Sequence, residues 1–155
     1  MKSDEINGNI PQLLYGQVVV GNDIIDNGVV IIEGQSIVYV GSEEDLPVDW
    51  TSVVLGNSEE GATQAANIVR LEGGYLLPGF IDIHVHGGNG EDFMDSDSRV
   101  LDAITSFHSS QGTTAMLATT MTAPKERIDR VLKEVHTYMA LPMPHAQLEG
   151  VHLEG

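Results

Sequence analysis

The chain contains 155 residues, of which 41% are hydrophobic and 19% charged, a composition typical of a folded domain and not of a disordered chain. The 7 Lys and Arg residues are outnumbered by 23 Asp and Glu residues, and the formal net charge of −16 disfavours binding to nucleic acid or to an anionic membrane surface. The absence of cysteine excludes disulfides, thiolate metal sites and a thiol nucleophile. Without a signal-peptide pattern or a membrane-length apolar run, a cytoplasmic location is expected.

Before residue 70 the sequence is strongly acidic and has the pattern of a β-sheet, with 11 acids and one base in residues 1–69. Three stretches rich in β-branched residues are predicted as strands of a β-meander: residues 13–20, 28–34 and 36–42. Turns are expected from Asn22 to Gly28 and from Glu33 to Gln35. Because three strands leave one face uncovered, partner strands from elsewhere are expected. Residues 43–66 are predicted as an acidic loop.

After residue 70, stretches with strand and helix patterns alternate. Three strands are predicted over residues 75–85, 113–120 and 147–155. The first helix is expected from about Ser98 to Gln111 with Asp97 as its N-cap, and the second begins near Pro124. Strands that alternate with helices indicate parallel strands joined by right-handed crossovers. The sequence therefore predicts an α/β fold for this part.

The stretch Asp82-Ile83-His84-Val85-His86 ends the first of these strands. Residues two apart on a strand point to the same side, so the acid and both histidines are expected on one face, with Ile81, Ile83 and Val85 under the helices on the other. Two imidazoles at this spacing can bind one cation. The same pattern also occurs by chance, but the glycine-rich residues 87–90 that follow allow a ligand to approach closely. The sequence therefore predicts metal ligation by His84 and His86.

A second pair of polar residues, His152 and Glu154, shares one face of the third strand. If both strands open at the same end of a barrel, Glu154 completes a nitrogen and oxygen site with the histidines. The alternative is a solvated glutamate near the chain end. Thr119 and Thr120 are expected to hydrogen-bond within the same mouth or to cap the strand, and His108 is expected to be a packing residue.

Three segments resemble the N-acetylglucosamine-6-phosphate deacetylases of the amidohydrolase superfamily: LLPGFIDIHVHGGNGEDFMD (76–95), LATT (117–120) and GVHLEG (150–155). The Pro-Gly-Phe-Ile-Asp-x-His-x-His run is specific for the superfamily, and the HGG continuation with His-Leu-Glu-Gly points to the deacetylases. The stretch EGQSIVYVG (33–41) is similar to the superfamily's N-terminal β-sandwich segment. The resemblance implies a β-sandwich segment with an acidic loop over residues 1–70. It also implies the start of a (β/α)8 TIM-type barrel, with its first three strands and two helices, over residues 71–155.

By the same resemblance, Glu154 ligates the catalytic metal, and His84 and His86 ligate a second metal in members that keep both histidines. The implied cofactor is one or two divalent ions, Zn or Fe, although two histidines and a glutamate also accommodate Mn or Co. The implied reaction removes acetate from N-acetylglucosamine 6-phosphate to give glucosamine 6-phosphate in amino-sugar catabolism. A metal would activate water and polarise the acetyl carbonyl, and an aspartate would move the proton. The expected partner is therefore a phosphorylated amino sugar, and a homodimer is expected at full length.

The family pattern continues past Gly155 with a proline, two further histidine ligands, phosphate-binding residues and the catalytic aspartate, so the catalytic and substrate-binding residues are unknown in this chain. A complete barrel of this kind has about 250 residues. We therefore expect an N-terminal fragment that is inactive alone. One alternative is another amidohydrolase, dihydroorotase-like or adenine-deaminase-like, for which a metal-bridging lysine would argue. Another is a truncated, non-catalytic product that pairs with a second chain through exposed strands.

Overall fold

The computed structural model describes residues 10–50, 66–95 and 97–154. The chain divides into two compact units, Met1–Pro78 and Gly79–Gly155. The change of composition at residue 70 lies inside the last strand of the first unit. The identity of the two parts as a β-sandwich segment and the start of a barrel stays a prediction. Among the described residues, the helices are all too short or too polar to cross a membrane.

The first unit contains a four-stranded sheet in the order β3-β2-β1-β4. Its strands are β1 (Gln12–Val20), β2 (Asp23–Glu33), β3 (Ser36–Ser42) and β4 (Asn67–Leu76). The antiparallel pairing of β1 with β2 and of β2 with β3 confirms the predicted meander, and β4 joins it as a parallel partner of β1. The long turn expected from Asn22 to Gly28 is wrong, because β2 already begins at Asp23. A tight turn suffices there, since Gly21 adopts a φ of +61°, which a residue without Cβ tolerates.

The core of the first unit lies on one face of this sheet. Buried side chains of β1 and β2 alternate along their strands, as expected for a sheet with one covered face, and Trp50 packs against them. The buried residues of this cluster are Leu13, Tyr15, Val29 and Ile31. Residues 51–65, which make up most of the predicted acidic loop, lie outside the described residues.

The single strand predicted over residues 75–85 is wrong, because the structure divides it between the two units. β4 ends at Leu76, and the next strand, β5, begins at Phe80. Pro78 lies between them, and a proline has no backbone N–H for a ladder and restricts the residue before it. The apolar character on both sides of Pro78 concealed this break from the sequence pattern.

The second unit is built around a three-stranded parallel sheet in the order β5-β8-β9. Its elements are β5 (Phe80–Val85), β6 (Gly87–Gly88), β7 (Glu91–Asp92), α1 (Ser98–Ser110), β8 (Thr113–Thr119), α2 (Lys125–Met139) and β9 (Gln147–His152). β6 and β7 form a short antiparallel hairpin directly after β5. The parallel strands and the two intervening helices confirm the predicted α/β alternation, including the N-cap, because the Asp97 side chain accepts a hydrogen bond from the backbone of Arg99 at 2.8 Å.

One apolar core joins the helices to the sheet, and it contains Leu101 and Ile104 of α1, Val131 and Val135 of α2, and Met116 of β8. The expectation that Ile81 and Ile83 are buried under helices is wrong, since these side chains are 72% and 61% exposed. Val85, predicted for the same face, does pack against this core. Among the described residues β5 is an edge strand that is paired on one side only.

Candidate metal centre

The structure brings His84, His86 and Glu154 together. Oε2 of Glu154 lies 3.4 Å from Nε2 of His84 and 3.1 Å from Nε2 of His86. The ligand atoms of all three residues lie within 4.8 Å of one another, and among the described residues they form the one group of His, Asp and Glu side chains with such spacing. The site is half-open, because the side chains of His86 and Glu154 are 36% and 43% exposed. Ligands could therefore reach it from solvent.

An irregularity interrupts the pairing of β5 beside the two histidines. The register of β5 against β8 shifts between Asp82 and Val85, so β5 carries an extra residue at this point. The Asp82 side chain accepts a hydrogen bond from the backbone N–H of His84 at 3.1 Å. This contact gives the N–H a partner at the point where strand pairing is interrupted. Asp82 therefore shapes the strand beside the site and is absent from the group of converging ligand atoms.

His152, the neighbour of Glu154 in the sequence motif, lies beside the site without joining the group. Its ring is 4.7 Å from that of His84, and its Nδ1 lies 2.9 Å from the carbonyl oxygen of Ile83. Because a carbonyl can only accept, Nδ1 carries the proton and donates it. This contact links the end of β9 to β5 across the intervening strand β8.

The hairpin that follows His86 is held by α1. Nε2 of His108 lies 2.9 Å from the carbonyl oxygen of Gly87 and donates to it. The backbone N–H of Phe93 donates to the carbonyl oxygen of His86 at 2.9 Å. Close packing explains the glycines, because a Cβ on Gly87 would lie 2.0 Å from the backbone oxygen of Glu91. His108 is therefore partly buried but has a specific polar contact, which the expectation of simple packing did not include.

The donor set fits a divalent transition metal. Two ligand atoms that each lie about 2.0–2.2 Å from one tetrahedral ion are about 3.3–3.5 Å apart, close to the two separations found here. Imidazole nitrogens with a carboxylate oxygen suit Zn, Fe, Mn and Co. In addition, Nδ1 of His86 is buried and has no hydrogen-bond partner among the described residues. Nε2, and not this Nδ1, is the atom of His86 that faces Glu154, so Nε2 is the nitrogen available to a metal.

Two features of the site escaped the sequence analysis. The register shift in β5 cannot be recognised from residue types, because a β-bulge is defined by which residues pair across the two strands. The contact of His108 with Gly87 joins a helix to a loop. A helix-spacing pattern places such a histidine on a face but does not name its partner.

Comparison with known proteins gives a consistent set of relatives, although no protein-family model matches the chain. Over 141 residues, which are 89% of this chain and 32% of the relative, it is 35% identical to N-acetylglucosamine-6-phosphate deacetylase of Bacillus subtilis (strain 168). Over 80 residues, which are 52% of this chain and 21% of the relative, it is 41% identical to N-acetylgalactosamine-6-phosphate deacetylase of Escherichia coli O157:H7.

Among solved structures, N-acetylglucosamine-6-phosphate deacetylase from Pasteurella multocida matches 94% of this chain and 34% of its own length, with a TM-score of 0.71 and 22% sequence identity. At this identity the likeness concerns the fold. The chain spans about a third or less of the length of these relatives. These relatives are consistently named as deacetylases of amino-sugar phosphates, which are hydrolases that act on amide bonds.

Proposed function

We propose that this chain is the N-terminal portion of an amidohydrolase that removes the acetyl group from N-acetylglucosamine 6-phosphate, and that His84, His86 and Glu154 hold its divalent metal. The observation that carries the proposal is the convergence of the three side chains on one point, with separations of 3.1 and 3.4 Å. The named deacetylases among the relatives supply the reaction class. We further propose a cytoplasmic enzyme, with Zn or Fe as the metal, one or two ions per site and a homodimeric assembly.

In this proposal the residues of the chain bind and orient. Glu154 supplies the one anionic ligand, and the two imidazoles supply neutral nitrogen ligands. A divalent metal bound there supplies Lewis-acid polarisation of the acetyl carbonyl and lowers the pKa of water. The hairpin after His86 begins with Gly87 and Gly88, and the absence of their side chains lets the hairpin pack tightly against α1 beside the ligands.

The proposed start of a (β/α)8 barrel explains why these residues meet. In such barrels, ligands and catalytic groups come from the carboxyl ends of parallel strands, and the two histidines and the glutamate lie at or just after the ends of β5 and β9. The exposed side chains of Ile81 and Ile83 then belong to a face that further barrel elements would cover. The activity is proposed for the whole protein that contains this chain, since the chain spans about a third of its relatives.

The relative from Escherichia coli supports a second substrate, N-acetylgalactosamine 6-phosphate, which differs in the configuration of one hydroxyl. The net charge of −16 leaves this chain short of groups that would attract a phosphate, so we propose that the phosphate is bound by residues outside it or by the metal. Neither substrate is favoured by a residue of the described site.

The test begins with the protein purified from its native source, because its intact mass shows whether 16.7 kDa is the whole product. Release of acetate from both sugar phosphates is then measured with the metal bound, after removal with a chelator, and after addition of Zn²⁺. The proposal predicts metal-dependent release for at least one of them. Metal-independent release, or no release of acetate from either sugar by a protein longer than this chain, would contradict it.

A further inference from the structure

Two adjacent threonines, Thr119 and Thr120, lie at the end of β8 and are fully buried. β8 is the central strand of the sheet, between the strand that leads to the two histidines and the strand that leads to Glu154. A buried hydroxyl is costly unless it is hydrogen-bonded, so both side chains require partners. The partner of Thr119 lies on the β5 side of β8, and the partner of Thr120 lies on the β9 side.

Thr119 binds the histidine segment. The backbone N–H of Val85, which lies between the two histidines in the sequence, donates to Oγ1 of Thr119 at 2.8 Å. This is the point at which the register of β5 against β8 is shifted. The hydroxyl thus accepts a hydrogen bond at the irregular end of the ladder, and it anchors the peptide that separates His84 from His86.

Thr120 binds the glutamate segment. The backbone N–H of Glu154 itself donates to Oγ1 of Thr120 at 3.2 Å, and the N–H of Thr120 donates to the carbonyl oxygen of His152 at 3.0 Å. The ladder between β8 and β9 ends at the pair of Thr119 and His152. Thr120 therefore continues the pairing past the end of β9 as far as Glu154, which is outside any strand.

We propose that Thr119 and Thr120 are positioning residues for the metal centre, each hydroxyl fixing one of the two segments that carry the ligands. The inference rests on the proposed metal function and deepens it. Neither hydroxyl is among the converging ligand atoms, so they act through the backbone of the ligand segments. Groups that hydrogen-bond to the ligand residues without touching the metal set the orientation of the ligands, and thereby the affinity for the metal.

The test uses the purified protein that contains this chain and Zn²⁺, with affinity measured by competition against a chromophoric chelator. Thr119→Val and Thr120→Val keep the shape of the side chain but remove the hydroxyl, and we expect each to weaken Zn²⁺ binding by roughly 10–100-fold. Thr119→Ser and Thr120→Ser keep the hydroxyl and are expected to restore most of the affinity. Circular dichroism and thermal unfolding without metal are recorded for every variant.

The matched control is Thr105→Val. Thr105 is a fully buried threonine of α1 whose hydroxyl donates to the carbonyl oxygen of Leu101 at 2.9 Å, away from the ligand residues. This variant should lower the unfolding temperature and leave Zn²⁺ affinity unchanged. If a valine variant does not fold, Thr119→Ala and Thr120→Ala replace it, since they remove the same hydroxyl without adding an apolar contact.

The outcomes separate the inference from the proposed function. If the unchanged protein binds no Zn²⁺, the proposed metal function fails and the inference fails with it. If the unchanged protein binds Zn²⁺ and the valine variants bind it equally well, the threonines only cap the strand and the inference alone is wrong. Serine variants as weak as the valine variants would also overturn it, because the hydroxyl would then not be the group responsible.

Discussion

Nε2 of His86 lies 3.1 Å from Oε2 of Glu154, although the strands that precede these residues, β5 and β9, are separated by β8. Strands on either side of a third are about 9–10 Å apart, so backbone pairing alone does not bring the two residues into contact. The contact arises because both residues lie just beyond the ends of their strands, where the side chains turn toward each other. The site therefore depends on how the chain leaves each strand.

The first prediction concerns Glu154. Glu154→Gln keeps the size of the side chain but removes the anionic ligand. We expect Zn²⁺ affinity to fall by more than about 100-fold, a larger loss than the one expected for a residue that only positions the ligands. The measurement is the same chelator competition. Glu149→Gln is the control, because Glu149 lies exposed on β9 and its substitution removes the same charge. Equal losses in both variants would mean that overall charge, and not ligation, governs binding.

The second prediction concerns His108, whose ring donates to the carbonyl oxygen of Gly87. His108→Ala removes this donor, and the expected cost in unfolding free energy is about 1 kcal/mol, the usual net value of a hydrogen bond. Because Gly87 follows His86 directly, Zn²⁺ binding should weaken as well. His136→Ala is the control, since His136 is exposed on α2. Urea unfolding that is unchanged in His108→Ala would contradict the prediction.

The third prediction concerns Tyr138, whose hydroxyl donates to Oδ1 of Asp102 at 2.6 Å. Burial, followed by the hydrogen bond to Asp102, raises the pKa of Tyr138 above its ordinary value of 10.0. The folded chain therefore holds this proton more tightly than the unfolded chain does. The resulting stability is present below pH 10.0 and is lost as the pH rises toward the folded pKa.

Tyr138→Phe removes this titration together with the hydrogen bond. At neutral pH the variant should be less stable by about 1.5–3 kcal/mol, since the bond is made to a charged group. Above pH 10.0 the difference between the two proteins should shrink. Urea unfolding from neutral to alkaline pH measures both effects, and a difference that stays constant across this range would contradict the assignment.

The fourth prediction concerns Asp97, the N-cap of α1. The backbone hydrogen bond from Arg99, followed by that from its side chain, lowers the pKa of Asp97 below its ordinary value of 3.8. Its stabilising effect is therefore fully present above pH 3.8 and is lost as the pH falls through the lower folded pKa. Asp97→Asn keeps a capping side chain without the charge.

Thermal unfolding of this variant should differ from that of the unchanged chain at neutral pH and converge with it in acid. Asp95→Asn is the control, because it removes the same charge from an exposed acid that lies outside α1. Lack of convergence would mean that the charge on Asp97 is not the stabilising element.

The sequence by itself determined the two helices of the second unit and their alternation with strands, and it named the residues of the candidate site. Helix periodicity, the capping aspartate and Pro124 define α1 and α2 locally, because these signals act within a few residues along the chain. Strand alternation likewise placed the two histidines on one side of a strand. Strand alternation also named Glu154, and the likeness of local motifs to a known family then implied that it ligates the catalytic metal.

Only the tertiary structure decided the pairings that depend on distant residues. β4 joins β1 across a long separation, the register of β5 shifts opposite β8, and the hydroxyls of Thr119 and Thr120 bind segments on opposite sides. Hydrogen bonds between strands depend on which backbone groups meet in space, and residue type restricts this only weakly. For the same reason, Ile81 and Ile83 look like core residues in sequence and are exposed in the described fold, because burial depends on whether another layer covers that face.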